Sequence, residues 1–229
     1  MLNPIITVDG PGGAGKGTIC KRLAERLNWH LLDSGMLYRL LALSAMNHHV
    51  AVDNEAALTV MASALDIKFE SIAGQEGIRA WLEGEDVTDT IRSENVGMAA
   101  SKIALQPAAR LALLARQRAF AEAPGLVADG RDMGTVVFVD APLKVYLTAS
   151  VEERAKRRHK QLLGKGQSDT LPRLVEAIKA RDDSDMNRAI APLKPAPDAL
   201  VIDSTLKSID EVCQQILDEA AKRGLLLEI

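Results

Sequence analysis

At 229 residues, 47% hydrophobic and 26% charged, the chain has the material for one well-packed α/β domain carrying a small insert, and is short for two independent domains. That composition excludes wholesale disorder, and no apolar run approaches the roughly 20 residues of a membrane-spanning helix. A formal net charge of -3 argues against a broad nucleic-acid surface, which normally rests on excess Lys and Arg.

Met1-Leu2-Asn3-Pro4 has no basic region followed by a long apolar stretch, so no signal peptide is read and the cytoplasm is the expected location. Ile5-Ile6-Thr7-Val8-Asp9 is a β-branched run ending in glycines, which suits a buried parallel strand. From 16 to 27 the residues Ile19, Leu23 and Leu27 recur at spacing four, with Cys20 and Ala24 beside them, and predict a helix with one apolar face. Residues 29–32 read as the next strand, Asp33-Ser34-Gly35 as a turn, and 36 to about 47 as a helix.

The rhythm changes over residues 62–92. Ile67-Lys68-Phe69-Glu70 and Ile78-Arg79-Ala80-Trp81-Leu82 alternate in period two around Gly74 and Gly77, which predicts a small antiparallel insert. Helical pattern returns over 94–120 with a break near Pro107, because proline has no amide to donate. Residues 126–129, 145–147 and 200–203 are further strands. Ser150 with Glu153, and Ser208 with Glu211, are capping-box pairs that open the last helices. Strands separated by helices imply a parallel sheet covered on both faces. Cys20 and Cys213 both fall on apolar helix positions and are expected as buried free thiols.

Gly10-Pro11-Gly12-Gly13-Ala14-Gly15-Lys16-Gly17-Thr18 has the phosphate-loop spacing, between a predicted strand and helix. Glycines let successive amides face one anion, the helix start adds partial positive charge, and the lysine reaches the β and γ oxygens of a nucleoside triphosphate. Gly17 stands where Ser or Thr usually offers a hydroxyl to Mg²⁺, and Thr18 follows one place later. Residues 154 to 181 are strongly basic in an otherwise mildly acidic chain, which points to a small polyanion. His30, His48, His49 and His159 show no transition-metal spacing.

Together with Leu31-Leu32-Asp33-Ser34-Gly35-Met36-Leu37-Tyr38-Arg39, Asp129-Gly130-Arg131-Asp132-Met133-Gly134-Thr135-Val136-Val137-Phe138 and Ala191-Pro192-Leu193-Lys194-Pro195, the loop closely resembles the bacterial cytidylate kinases among the nucleoside monophosphate kinases. The resemblance runs nearly end to end. It implies a phosphate-loop α/β kinase core over 1–61 and 93–229, a nucleotide-binding insert over 62–92 and a helical lid at about 154–185. It implies transfer of the ATP γ-phosphoryl to CMP or dCMP with Mg²⁺, and a monomer is the expected state.

By that resemblance the loop from Gly10 to Thr18 binds ATP, and Lys16, Arg131, Arg158, Arg181 and Arg188 stabilise the transferring group, with Arg157 a further candidate. Ser34, Arg39, Ser101, Arg110, Asp129, Arg131, Asp132, Arg181, Asp185 and Arg188 are the CMP-binding candidates, Arg39 for the phosphate, Ser101 and Arg110 for the cytosine ring, and Asp185 for the ribose. Asp129, at a strand end, or Thr18 is the candidate for Mg²⁺. An ionised Asp132 can only accept hydrogen bonds, which suits the cytosine amine and disfavours the uracil carbonyl. Alternatively Asp132 pairs with Arg131 or another nearby arginine. A phosphate-loop kinase for a small metabolite and a nucleotide-dependent switch are the rival readings.

Overall fold

The structure is a computed structural model that describes residues 3–71, 78–164 and 166–226; the expected glycines of the insert, Gly74 and Gly77, lie outside the described residues. The chain separates into two compact units, one made of residues 1–33 with 118–229 and the other of residues 34–117. Among the described residues no helix is long and apolar enough to cross a membrane.

The first unit begins with β1 (Ile5–Asp9) and α1 (Lys16–Leu27), joined by the glycine-rich turn. Ile19, Cys20, Leu23 and Ala24 form the buried face of α1, as their spacing predicts. Asn28 closes the helix in the left-handed region at φ 52°, which its short polar side chain tolerates. β2 (His30–Asp33) follows, one residue later than expected at each end.

The second unit starts directly with α2 (Ser34–Asn47), so the expected turn at Asp33-Ser34-Gly35 is replaced by a strand running straight into a helix. The reason lies outside the turn: Ser34 is buried and its hydroxyl accepts a hydrogen bond from Gln117, far along the chain, so this polar residue is not a solvent turn. Nine residues of α2 are buried, which makes it a core helix rather than an amphipathic one. α3 (Glu55–Ala64) is capped by the Asn54 side chain. β3 (Ile67–Ser71), β4 (Ile78–Leu82) and β5 (Glu85–Asp86) form an antiparallel sheet in that order, with Phe69 opposite Ala80. α4 (Glu94–Ile103) and α5 (Pro107–Arg118) meet at the proline, which occupies a helix start where its missing amide costs nothing. Leu40, Leu41, Leu58, Leu82, Ile103 and Leu113 belong to one apolar core.

The first unit resumes with β6 (Leu126–Gly130), β7 (Leu143–Thr148), α6 (Val151–Leu163), α7 (Leu171–Asn187), β8 (Leu200–Asp203) and α8 (Ile209–Lys222). The sheet is wholly parallel in the order β2-β6-β1-β7-β8. The fold class is therefore α/β, with a parallel sheet flanked by helices and a small antiparallel sheet in the second unit. α8 seats Val212, Cys213 and Ile216 in the core that α1 also enters. Cys20 and Cys213 are both free and buried, and burial pushes the Cys20 thiol well above its ordinary value.

Ser208 and Glu211 make the full capping box. Ser150 makes only half of one. Its hydroxyl accepts from the Glu153 amide, but its own amide donates to Thr205, and the Glu153 carboxylate is taken by Arg157.

Strand register matters for the site. Asp33 lies opposite Asp129, and Val8 opposite Asp129, so Asp9, Asp33 and Asp129 collect at the carboxyl edge of three neighbouring strands, beside the glycine turn. Open α/β folds bind ligands at that edge.

Candidate active site

The loop between β1 and α1 must pass close to β7. A Cβ at Gly10, whose φ is 151°, would fall 2.0 Å from the Leu147 carbonyl oxygen, so no other residue fits. Gly15 caps α1 in the left-handed region at φ 98°. Three carbonyls of the loop are held by donors around it. Pro11 accepts from Lys16 Nζ at 3.0 Å and Gly12 from Arg154 Nη1 at 3.1 Å, while Ala14 accepts from Ser204 Oγ at 3.0 Å and Arg157 Nη1 at 3.3 Å. With carbonyls engaged in this way, the peptide planes are fixed for the amides to serve an anion.

Lys16 is only 6% exposed and stands 3.8 Å from the Asp129 carboxylate. Beyond β6, Arg131 Nε donates to Asp185 at 2.8 Å, which ties the segment after β6 to α7. A Cβ placed on Gly12 would lie 3.5 Å from Arg131 Nη2 and 3.8 Å from Arg181 Nη1, so both guanidinium groups lie close to this part of the loop. Arg188, at the C-terminal end of α7, is 3.8 Å from Asp132, with both side chains almost wholly buried. Of the expected site residues in this unit, Lys16, Asp129, Arg131 and Arg181 gather at the loop, with Asp185 joined through Arg131. Asp132 has Arg188 as its arginine neighbour. Arg158 is exposed on α6, and among the described residues its side chain makes no hydrogen bond or ion pair.

Asp9 escaped the sequence reading. Its carboxylate accepts from the Met133 and Gly134 amides, both at 2.8 Å, and so anchors the π-helical turn Met133–Val137 that follows Asp132. The only signal was an acidic residue ending an apolar strand. Thr18 is exposed on the first turn of α1, and a Cβ on Gly17 would lie 3.7 Å from Asp129 Oδ2.

Burial dominates the electrostatics. It pushes the Asp129 carboxyl up to about 7, with Lys16 opposing and Asp33 adding to the rise. It pushes Lys16 down to about 8, helped by Arg131 and opposed by Asp129. Asp9 rises to about 6 for the same first reason, held back by the two amides it accepts from. If the competent free enzyme carries ionised Asp129 and protonated Lys16, kcat/KM for ATP is expected to rise with pH through about 7 and to fall through about 8. Lys16→Arg should remove the alkaline limb, because a guanidinium keeps its proton; a limb unchanged in that variant assigns it to another group.

In the second unit, Ser34 is buried against Gln117 at 2.8 Å. Arg39 donates to the Ile91 carbonyl at 2.6 Å and the Ser93 carbonyl at 3.3 Å, and its guanidinium lies against Gly97. Ser101 bonds back to the Gly97 carbonyl, so Arg39 and Ser101 meet at that glycine. Arg110 is buried, donates to the Ala104 carbonyl and sits 5.9 Å from the Tyr38 ring centre.

A parallel sheet, a glycine loop opening a helix, a buried loop lysine and two arginines close by are the parts of a phosphate-loop protein. The sequence matches the family described as Cytidylate kinase over residues 6–222. It is 60% identical to a cytidylate kinase of Pseudomonas savastanoi pv. phaseolicola over 97% of both chains. It is also 60% identical to one of Aeromonas hydrophila subsp. hydrophila over 97% of this chain and 96% of that one. The chain belongs to the cytidylate kinase family, and it is a kinase. Among solved structures, a shikimate kinase from Bacteroides thetaiotaomicron aligns over 96% of this chain and 98% of its own, at 16% identity and a TM-score of 0.46.

Proposed function

We propose that this chain transfers the γ-phosphoryl of ATP to CMP or dCMP, giving ADP and CDP or dCDP, in pyrimidine nucleotide metabolism, as a cytoplasmic monomer. The observation that carries the site assignment is the grouping of Lys16, Arg131 and Arg181 at a phosphate loop in a member of this family. Lys16 and the loop amides hold the donor phosphates. Arg131, Arg181 and Arg188 neutralise charge on the group in flight and on the acceptor phosphate, so catalysis is positioning and electrostatics. For Ser34, Arg39, Ser101 and Arg110 the role in holding the acceptor rests on the family resemblance, as does the ribose contact of Asp185. For Arg158, exposed on α6, the role toward the transferring group likewise rests on the resemblance.

Mg²⁺ suits the oxygens present. Asp129, opposite Asp33 at the carboxyl edge of the sheet, and Thr18, on the first helical turn, would hold the ion. Held there, the ion would draw charge from the phosphate oxygens.

The test is ADP release across the common nucleoside monophosphates. CMP and dCMP should accelerate ATP consumption far above UMP, AMP and GMP; no acceleration by either cytidine nucleotide overturns the proposal. Asp132→Asn should lower the CMP-to-UMP ratio of kcat/KM by about tenfold or more, because an amide offers both a donor and an acceptor where the carboxylate only accepts. An unchanged ratio would leave Asp132 as a partner of Arg188 and move base selection elsewhere.

A further inference from the structure

We propose that Arg154 and Asp182 are a positioning couple that sets the phosphate loop and α7 in register, so that neither acts on phosphate directly; the inference rests on the phosphoryl-transfer reading above. Arg154 lies in the most basic stretch of the chain, where a solvated or phosphate-facing role is the natural expectation, yet it is 3% exposed. Its guanidinium is consumed by protein. Nε donates to the Ala149 carbonyl at 3.0 Å, Nη1 to the Gly12 carbonyl at 3.1 Å, and Nη1 and Nη2 fork onto Asp182 at 3.0 and 2.5 Å. The stem of the same side chain packs on the loop, with Arg154 Cβ 3.3 Å from where a Cβ on Gly13 would stand. One planar group therefore joins the segment after β7, the loop and α7.

The consequence lies in what α7 carries. Arg181 precedes Asp182 and comes close to Gly12, and Asp185, three residues on and on the same helical face, holds Arg131 at 2.8 Å. Fixing Asp182 fixes the roll of α7 and hence both of these groups. On the other side, the Gly12 carbonyl belongs to the Gly12–Gly13 peptide, whose flanking torsions are both those of glycines, so the bond from Arg154 sets which way it faces. Lysine cannot substitute, since a single ammonium cannot span a bidentate carboxylate and a carbonyl in fixed planar geometry.

The test compares Arg154→Lys, Asp182→Asn and the apolar double variant Arg154→Met with Asp182→Leu. It measures ATP–Mg²⁺ affinity by calorimetry without acceptor, kcat and KM with CMP, and Tm. Both single variants should bind ATP about tenfold or more weakly and lose about a hundredfold in kcat, the scale of a misplacement near 1 Å. The double variant should recover much of the Tm lost by Asp182→Asn, because no unpaired charge stays buried, while ATP affinity and kcat stay low. If stability, ATP affinity and kcat all return together in the double variant, the couple is structural only and the proposal fails. Should the double variant not fold, Arg154→Lys decides alone: parental ATP affinity and kcat in it overturn the proposal. A parent protein that binds ATP but ignores CMP would instead defeat the functional reading, and the ATP-affinity comparison would still report on the couple.

Discussion

Lys16→Ala is expected to lower kcat by about two to three orders of magnitude with the fold retained, the scale seen when a preorganised charge is taken from a developing anion. Lys16 is almost fully buried, its Nζ donates to the Pro11 carbonyl, and it stands 3.8 Å from Asp129. A buried ammonium in that position is aimed and desolvated, so its interaction with phosphoryl oxygens is stronger than it would be in water. The fold should survive. Burial already lowers the lysine towards about 8 and raises Asp129 to about 7, so when the ammonium is removed the carboxyl left behind takes up a proton rather than remaining a bare charge. Single-turnover kinetics with ATP and CMP, alongside circular dichroism and Tm, check both halves. A variant with parental turnover would remove Lys16 from the mechanism.

Arg131→Met should be as damaging, with a different signature. Arg131 holds Asp185 at 2.8 Å, and its other nitrogen lies close to Gly12, so its loss frees an α7 carboxylate and removes positive charge from beside the loop. We expect kcat/KM for CMP to fall by about a thousandfold, with KM for ATP changing far less, because the loop and Lys16 remain to hold the donor. Arg131→Lys should restore only a small part of this, since one ammonium cannot keep Asp185 and reach over Gly12 together. If Arg131→Met changes KM for ATP and leaves kcat/KM for CMP untouched, Arg131 serves the donor.

Much of this was legible in the chain. Phosphate-loop spacing is carried by consecutive residues, and its meaning depends only on a strand before and a helix after, both declared by local patterns at Ile5–Asp9 and Ile19, Leu23, Leu27. The antiparallel insert was readable for a similar reason, as period two is a property of neighbouring residues. Asp33-Ser34-Gly35 has the composition of a turn, and the hydrogen bond from Gln117, 83 residues away, that buries Ser34 cannot be seen from Ser34 alone. The Ser150 and Glu153 pair fits the capping-box pattern, but Thr205 and Arg157 took half of its partners.

The arginines show the division most clearly. Arg154, Arg157, Arg158 and Arg181 all belong to one basic stretch, and the family resemblance offers Arg157, Arg158 and Arg181, but not Arg154, as functional candidates. Folding gives each a different fate: Arg154 is buried on Asp182 and Gly12, Arg157 bonds Ala14 and Ser204, Arg158 faces solvent, and Arg181 lies close to the loop.

By itself the sequence determined the family, the phosphate-loop spacing and the strands of the parallel sheet, because motif and periodicity are local, whereas α3 (Glu55–Ala64) and β5 (Glu85–Asp86) came only with the structure. Tertiary structure alone decided which charges are buried, which carboxylate faces which cation, and that Asp9 anchors the turn after Asp132. Those outcomes depend on strand register and helix roll, which bring residues more than a hundred positions apart within hydrogen-bond reach, and on desolvation, which no single position in a sequence encodes.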